Sequence, residues 1–147
     1  MTFDDVVTPG ARDTARQLAM LCQFDPHDIP IIQGLTEQLD GASVLVSPPV
    51  GAFRERLQEN APNTLIDVPL LIVQGLTDTV IDPVINDDYV TERCAARQSL
   101  EYWRVPGWDH GSIVAPGSPI EEPLIAWTRD RFAGEPQAAG CQQTTIE

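Results

Sequence analysis

The chain has 147 residues, enough for one domain with a real core, and 22 acidic against nine basic residues leave it with a net charge of −13. All nine basic residues are arginine. That balance repels nucleic acid and anionic membrane surfaces, which argues against phosphate-backbone binding, and no apolar run reaches the length of a membrane span.

The start, MTFDDVV, has neither a basic end nor an apolar stretch, so no export signal is expected and the chain as given reads as cytoplasmic. Thr8 is placed to cap a helix opening at Pro9, where the missing N–H costs nothing. Ala11, Ala15, Leu18 and Cys22 form one apolar stripe along it. The two prolines of CQFDPHDIP mark a loop, and His27 within it reads as a solvated loop residue; Ile31 to Asp40 then has room for a short helix. GASVL around Ser43 superficially resembles a nucleophile elbow. The elbow is G-x-S-x-G after a buried strand, however, and here Leu45 stands at the second glycine and the preceding TEQLD is polar, so Ser43 is set aside as a nucleophile. Val50 to Glu59 fits a short amphipathic helix, with Phe53 and Leu57 one turn apart and Arg54, Arg56 and Glu59 outward.

Between Ala61 and Thr64 the composition turns from helical and polar to β-rich, which places a boundary there. The apolar run Leu70 to Val73, entered through Pro69 and closed by Gly75, reads as a strand buried on both faces, and its exit loop carries Asp78. A helix over Pro83 to Gln98 follows, with Asp82 as its cap and the pairs Ile85/Tyr89 and Val90/Cys94 toward the sheet. A second strand, Leu100 to Val105, then leads into GWDHGS, which carries His110. A right-handed crossover puts both exit loops at the same carboxyl edge of the sheet, where open α/β folds bind ligands, so Asp78 and His110 are expected to meet. Of the two competing acids, Asp82 is better used as a cap, and Asp109, the sequence neighbour of His110, is expected to point away. Gly107 and Gly111 are expected to let the backbone turn tightly around the histidine. Trp108 either lines a ligand pocket or shields the loop, with shielding preferred.

Ser118 to Glu121 has the form of a capping box, and a helix from Glu122 to Phe132 is expected to bury Leu124, Ile125 and Trp127. The tail AGEPQAAGCQQTTIE reads as loop or disorder. Only two strands are counted on this reading, with both sheet edges open.

An aspartate followed by a histidine on successive strand exits is the back half of a Ser…Asp…His triad as α/β-hydrolases order it. The segments LIVQGLTDTVIDP, ERCAARQ, EYWRVPGWDHGS and EPLIAWTRDRFAG make residues 63–141 resemble the C-terminal region of the secretory lipases, the lipase-A-like branch of the α/β-hydrolases. The resemblance implies an α/β class. Residues 63–135 would form the C-terminal part of an α/β-hydrolase core, preceded by a mainly helical cap at 1–62 and followed by a tail at 136–147. It carries triad roles to Asp78 and His110, and implies hydrolysis of carboxylic esters such as acylglycerols through a serine that no segment here supplies. No cofactor or metal is expected. The implied partners are a lipid or small ester substrate and either a missing N-terminal half or a second copy at the open sheet edge. The rival reading is a non-catalytic interaction module derived from the same fold; a peptidase-type α/β-hydrolase is a third. No spacing of the three cysteines with histidine suggests zinc. Members of the family are exported, which permits disulfides. Cys94 and Cys141 are expected to pair, because the tail after the last helix can return to the crossover helix, leaving Cys22 over.

Overall fold

The computed structural model describes residues 1–147 and divides into two compact units, Met1–Pro62 and Asn63–Glu147. The division falls within the stretch where the composition changes.

The first unit is helical: α1 (Phe3–Val6), a 3-10 turn (Pro9–Ala11) running into α2 (Arg12–Leu18), α3 (Ile29–Glu37) and α4 (Gly51–Glu59). A single antiparallel bridge, Val7 with Leu45, ties the start of the chain to the Ser43 loop. Thr8 precedes Pro9 as expected, but its hydroxyl makes no cap and donates instead to the Ser43 carbonyl at 2.8 Å. Val7, Ala11 and Ala15 are the buried cluster, with Val6, Leu39 and Val44 against it. The expected stripe is cut short because α2 stops at Leu18, leaving Cys22 exposed and unpaired. The following helix begins at Ile29, ahead of the expected Ile31, with Pro30 in its first turn, where no N–H is needed. No residue of α4 is buried, so the Phe53/Leu57 pair does not anchor a core face.

The second unit is mixed α/β. Its elements are β1 (Leu71–Gly75), α5 (Pro83–Ala95), β2 (Leu100–Val105), a 3-10 turn (Ser112–Val114), α6 (Glu121–Phe132) and β3 (Cys141–Thr145). The strands form one parallel sheet in the order β1-β2-β3, with Leu71 opposite Glu101, Gly75 opposite Val105, Leu100 opposite Cys141 and Arg104 opposite Thr145. The third strand corrects the expectation of a loop or disordered tail. Cys-Gln-Gln-Thr-Thr has no apolar alternation to announce a strand, yet it pairs because β2 offers a full row of backbone donors and acceptors on that side. The expected Cys94–Cys141 disulfide is present and holds the strand to α5, with the Cα atoms 5.7 Å apart.

With β3 in place, β2 is the interior strand, and Leu100, Tyr102, Trp103 and Val105 are all buried. β1, expected to be buried on both faces, lies at an edge of the sheet, and Leu71 to Val73 are only partly buried. Strand alternation sends Leu100 and Tyr102 to the α5 face, where they pack with Val90, Leu70, Ile72 and both bonded cysteines. Val105 faces the other way, onto Ile113 and Ile120, with Val73, Trp108 and Ile146 around them. Helices α5 and α6 therefore serve opposite faces. α5 stops at Ala95, short of the expected Gln98, because Arg97 turns to φ 65° and the Gln98 N–H returns to the Arg93 carbonyl, a helix-ending turn. Val90 and Cys94 pack onto the sheet cluster, and Arg93 is buried with its guanidinium donating to the Asn63 carbonyl, while Ile85 is exposed. α6 buries none of its residues: Leu124 and Ile125 are exposed, and Trp127 is half-buried with its Nε1 donating to Glu101 at 2.8 Å. No helix is long and apolar enough to cross a membrane.

Candidate functional site

Asp78 and His110 meet at the carboxyl ends of β1 and β2. His110 Nδ1 lies 3.0 Å from Asp78 Oδ2. The two exit loops are joined through their backbones before any side chain is considered: Leu76 N–H donates to the Val105 carbonyl and Thr77 N–H to the Trp108 carbonyl, at 3.0 and 3.1 Å. Gly75 makes that closeness possible. A Cβ at position 75 would overlap the Trp108 carbonyl oxygen and come within 3.3 Å of the Asp109 oxygen, so any larger residue would push the histidine loop off the strand end. Gly107, at φ 78°, starts the turn in the left-handed region. Gly111 was expected to share that task, but its φ of −90° is open to any residue. Trp108 is half-buried against the Val105–Ile113–Ile120 cluster, so it anchors and shields the loop.

The Asp78 side chain is 7% exposed and the His110 side chain 54%. A carboxylate so enclosed needs fixed donors. Its Oδ1 receives the N–H groups of Val80 and Ile81, each at 2.8 Å, and its Oδ2 faces the ring. Burial pushes its pKa up, but the Ile81 amide, the His110 ring and the Val80 amide outweigh burial and hold it below the ordinary carboxylate range. Asp78 therefore stays ionised, and an ionised partner at Nδ1 favours the tautomer that carries its proton there. Nε2 of a half-exposed ring is then the nitrogen available for proton transfer.

The other two acids have separate tasks. Asp82 caps α5, accepting from Val84 N–H at 3.0 Å. Asp109 turns into its own loop, where Oδ1 accepts from the N–H and hydroxyl of Ser112, both at 2.8 Å, and from Gly111 N–H at 3.0 Å. The Ser112 groups and then the Gly111 amide hold its pKa low. Asp109 thus braces the histidine loop without reaching the imidazole.

Gln74 went unnoticed in the sequence. It is 2% exposed, the last side chain before Gly75, and its amide bonds to the Gly75 carbonyl, the Ile81 carbonyl and Asn86 of α5. The signal was available: a glutamine inside the run LLIVQG is an amide in an apolar strand, and buried amides need partners.

Ser43 belongs to the first unit, in a loop flanked by neither strand nor helix as an elbow requires, and its hydroxyl donates to the Leu45 carbonyl at 2.8 Å. His27 is exposed in its loop. No group of three or more His, Cys, Asp or Glu side chains is arranged to hold a metal ion. Two clefts of the second unit have no wall from the Asp78–His110 pair. One, of about 350 Å³, lies between Leu65–Pro69 and Arg97–Ser99; the other, about 270 Å³ and mostly apolar, lies between Ile113–Ser118 and the start of α6.

No family model matches this chain, and neither a curated protein nor a solved structure is significantly similar to it.

Proposed function

We propose that the second unit is the Asp- and His-bearing portion of a serine-dependent carboxylic ester hydrolase of the α/β-hydrolase type, acting on acylglycerol-like esters. The observation that carries the reading is the 3.0 Å contact between His110 Nδ1 and an enclosed, ionised Asp78 at the carboxyl edge of adjacent parallel strands. The likeness of the flanking motifs to secretory lipases supplies the substrate class. In this reading Asp78 orients the ring and stabilises the imidazolium. His110 Nε2 takes the proton of an attacking serine hydroxyl and returns it to the leaving alkoxide. The serine comes from polypeptide outside this sequence, docked beside β1, one of the two edge strands of the sheet.

A second reading, a non-catalytic interaction module, is favoured by the exposed Val80 of the acid loop, Val84 and Ile85 at the start of α5, and Leu124, Ile125 and Phe132 on α6. Hydrolysis of a short p-nitrophenyl ester separates the two. The chain alone should not exceed free imidazole at the same pH by more than about tenfold, since losing the triad serine costs about 10⁶ in turnover. Mixed or co-expressed with the N-terminal region of a secretory lipase it should gain activity, which His110→Ala abolishes. Binding of that region without activity would select the interaction module. Enzyme-like turnover by the chain alone, lost on Ser43→Ala, would overturn the first reading.

A further inference from the structure

The carboxylate of Asp78 is held by two peptide groups, and both belong to a loop that runs from Gly75 to Asp82. The Gly75 carbonyl accepts the Asp78 backbone N–H at 3.3 Å, which closes the turn. At the far end Ile81 donates its N–H to Asp78 Oδ1 at 2.8 Å. One side chain reaches both of these residues. Gln74 Nε2 donates to the Gly75 carbonyl at 2.7 Å and, in a longer bond, to the Ile81 carbonyl at 3.5 Å. Its Oε1 accepts from Asn86 Nδ2, one turn into α5. Strand alternation explains how: with Ile72 on the α5 face, Gln74 points the same way, toward the first turn of the crossover helix.

We propose that Gln74, held by Asn86, is the positioning residue of the Asp78–His110 pair. It bridges the start and end of the acid loop and ties both to the helix. The assignment rests on the reading of Asp78 and His110 as an acid–base pair, but its physical content is the geometry of that pair. Gln74 is 2% exposed in a strand whose neighbours Leu71, Ile72 and Val73 are apolar. An apolar residue there would fill the same space without an amide to satisfy, so the amide's contribution lies in the three groups it binds. Those groups are the two ends of the acid loop and the helix that follows it.

The decisive experiment is NMR on the oxidised full chain, reading the ring nitrogens of His110 and the side-chain carboxyl of Asp78, with exposed His27 as internal reference. Gln74→Met keeps the length of the side chain and removes all three bonds. It should lower the Nδ1–H share of neutral His110 at least twofold, toward the distribution shown by His27, and move the Asp78 carboxyl titration up toward that of an ordinary aspartate. Asn86→Ala, at a half-buried helix position, should shift both readouts in the same direction by less, and it serves as the test if Gln74→Met fails to fold. A folded Gln74→Met chain with unchanged His110 nitrogens and unchanged Asp78 titration overturns the proposal. So does an unchanged pair in Asn86→Ala where Gln74→Met does not fold. Neither readout uses ester hydrolysis, so an inactive complemented enzyme with a perturbed pair would refute the hydrolase reading and leave Gln74 in its role.

Discussion

In the first unit the buried side chains are Val7, Ala11, Ala15 and Leu35; in the second they include Val90, Leu100, Tyr102, Trp103, Val105, Ile113 and Ile120. Burial contributes roughly 0.8 kcal/mol per methylene, and two alanines contribute few. Beyond the Val7–Leu45 bridge and the Thr8–Ser43 bond, the first unit relies on local devices. Thr2 and Asp5 form a capping box, and Asp4 pairs with Arg12 and Arg16 in exposed ion pairs of the kind worth about 0–1 kcal/mol each. The second unit joins residues far apart in the chain: two parallel ladders, the Cys94–Cys141 bond, and Gln137, whose amide pairs with both the N–H and the carbonyl of Leu70, 67 residues earlier. The difference teaches where an aligned acid–base pair can reside. The 3.0 Å contact between side chains of loops 32 residues apart rests on those ladders and the disulfide, whereas the distant segments of the first unit meet only at the Val7–Leu45 bridge, the hydrogen bonds beside it and the side-chain packing around Val7, Ala11 and Ala15.

Breaking the disulfide should have the largest effect. It closes a 47-residue separation, for which the chain-entropy model gives about 4 kcal/mol. Reduction, or Cys94→Ser with Cys141→Ser, should destabilise the second unit by about that amount and leave the first unchanged. All three tryptophans, Trp103, Trp108 and Trp127, lie in the second unit, so guanidinium unfolding followed by tryptophan fluorescence reports it alone. A matching shift in the amide resonances of α2 and α3 would show that the units do not unfold separately.

The next contrast pairs two leucines. Leu100 is 0% exposed in the interior strand, and Leu35 is 7% exposed in α3. Leu100→Ala should cost about 3–4 kcal/mol by leaving a cavity between sheet and α5; Leu35→Ala should fall near the low end of the same scale, about 2 kcal/mol, since its surroundings can collapse. Equal losses in denaturant titrations would mean that the first unit is packed as tightly as the second.

The smallest effect is electrostatic. Asp78 titrates below the ordinary carboxylate value in the folded chain, so its contribution to stability is complete above the unfolded value of about 3.9 and is lost as pH falls through the lower folded value. Asp78→Asn should flatten the stability of the second unit against pH below about 4. Asp109 is lowered as well and should leave a residual slope. In the first unit Asp5 is lowered by the Thr2 amide and hydroxyl, and Asp5→Asn should flatten only that unit's acid limb. An acid limb unaltered by Asp78→Asn would show that the enclosed carboxylate gains nothing from its donors.

Much of the pair was legible beforehand because its logic is local and repeated. Each strand announces itself by its apolar run and ends in a turn, and two such strands joined by one helix bring consecutive exits together; Asp78 and His110 follow from that alone. Asp82 and Asp109 were sorted correctly for a similar reason, one lying before a proline at a helix start and the other too close to His110 in sequence to face its ring. What could not be read was pairing without pattern. β3 is polar after Cys141, and it is a strand only because β2 presents an edge and Cys94 a thiol. Ile85, Leu124 and Ile125 look like core by their spacing, but a helical period says which residues share a face, not whether another layer covers it.

The sequence by itself determined the order and type of the central elements, the boundary near Ala61 to Thr64 and the residues of the Asp78–His110 contact, since propensity, turn chemistry and helical or strand period act over a few neighbouring residues. Only the tertiary structure decided that β2 rather than β1 is the interior strand, that Gly75 is small because the Trp108 carbonyl crosses it, and that Gln74 spans the acid loop. Those outcomes depend on which distant backbone lies alongside, and a one-dimensional pattern carries no term for that.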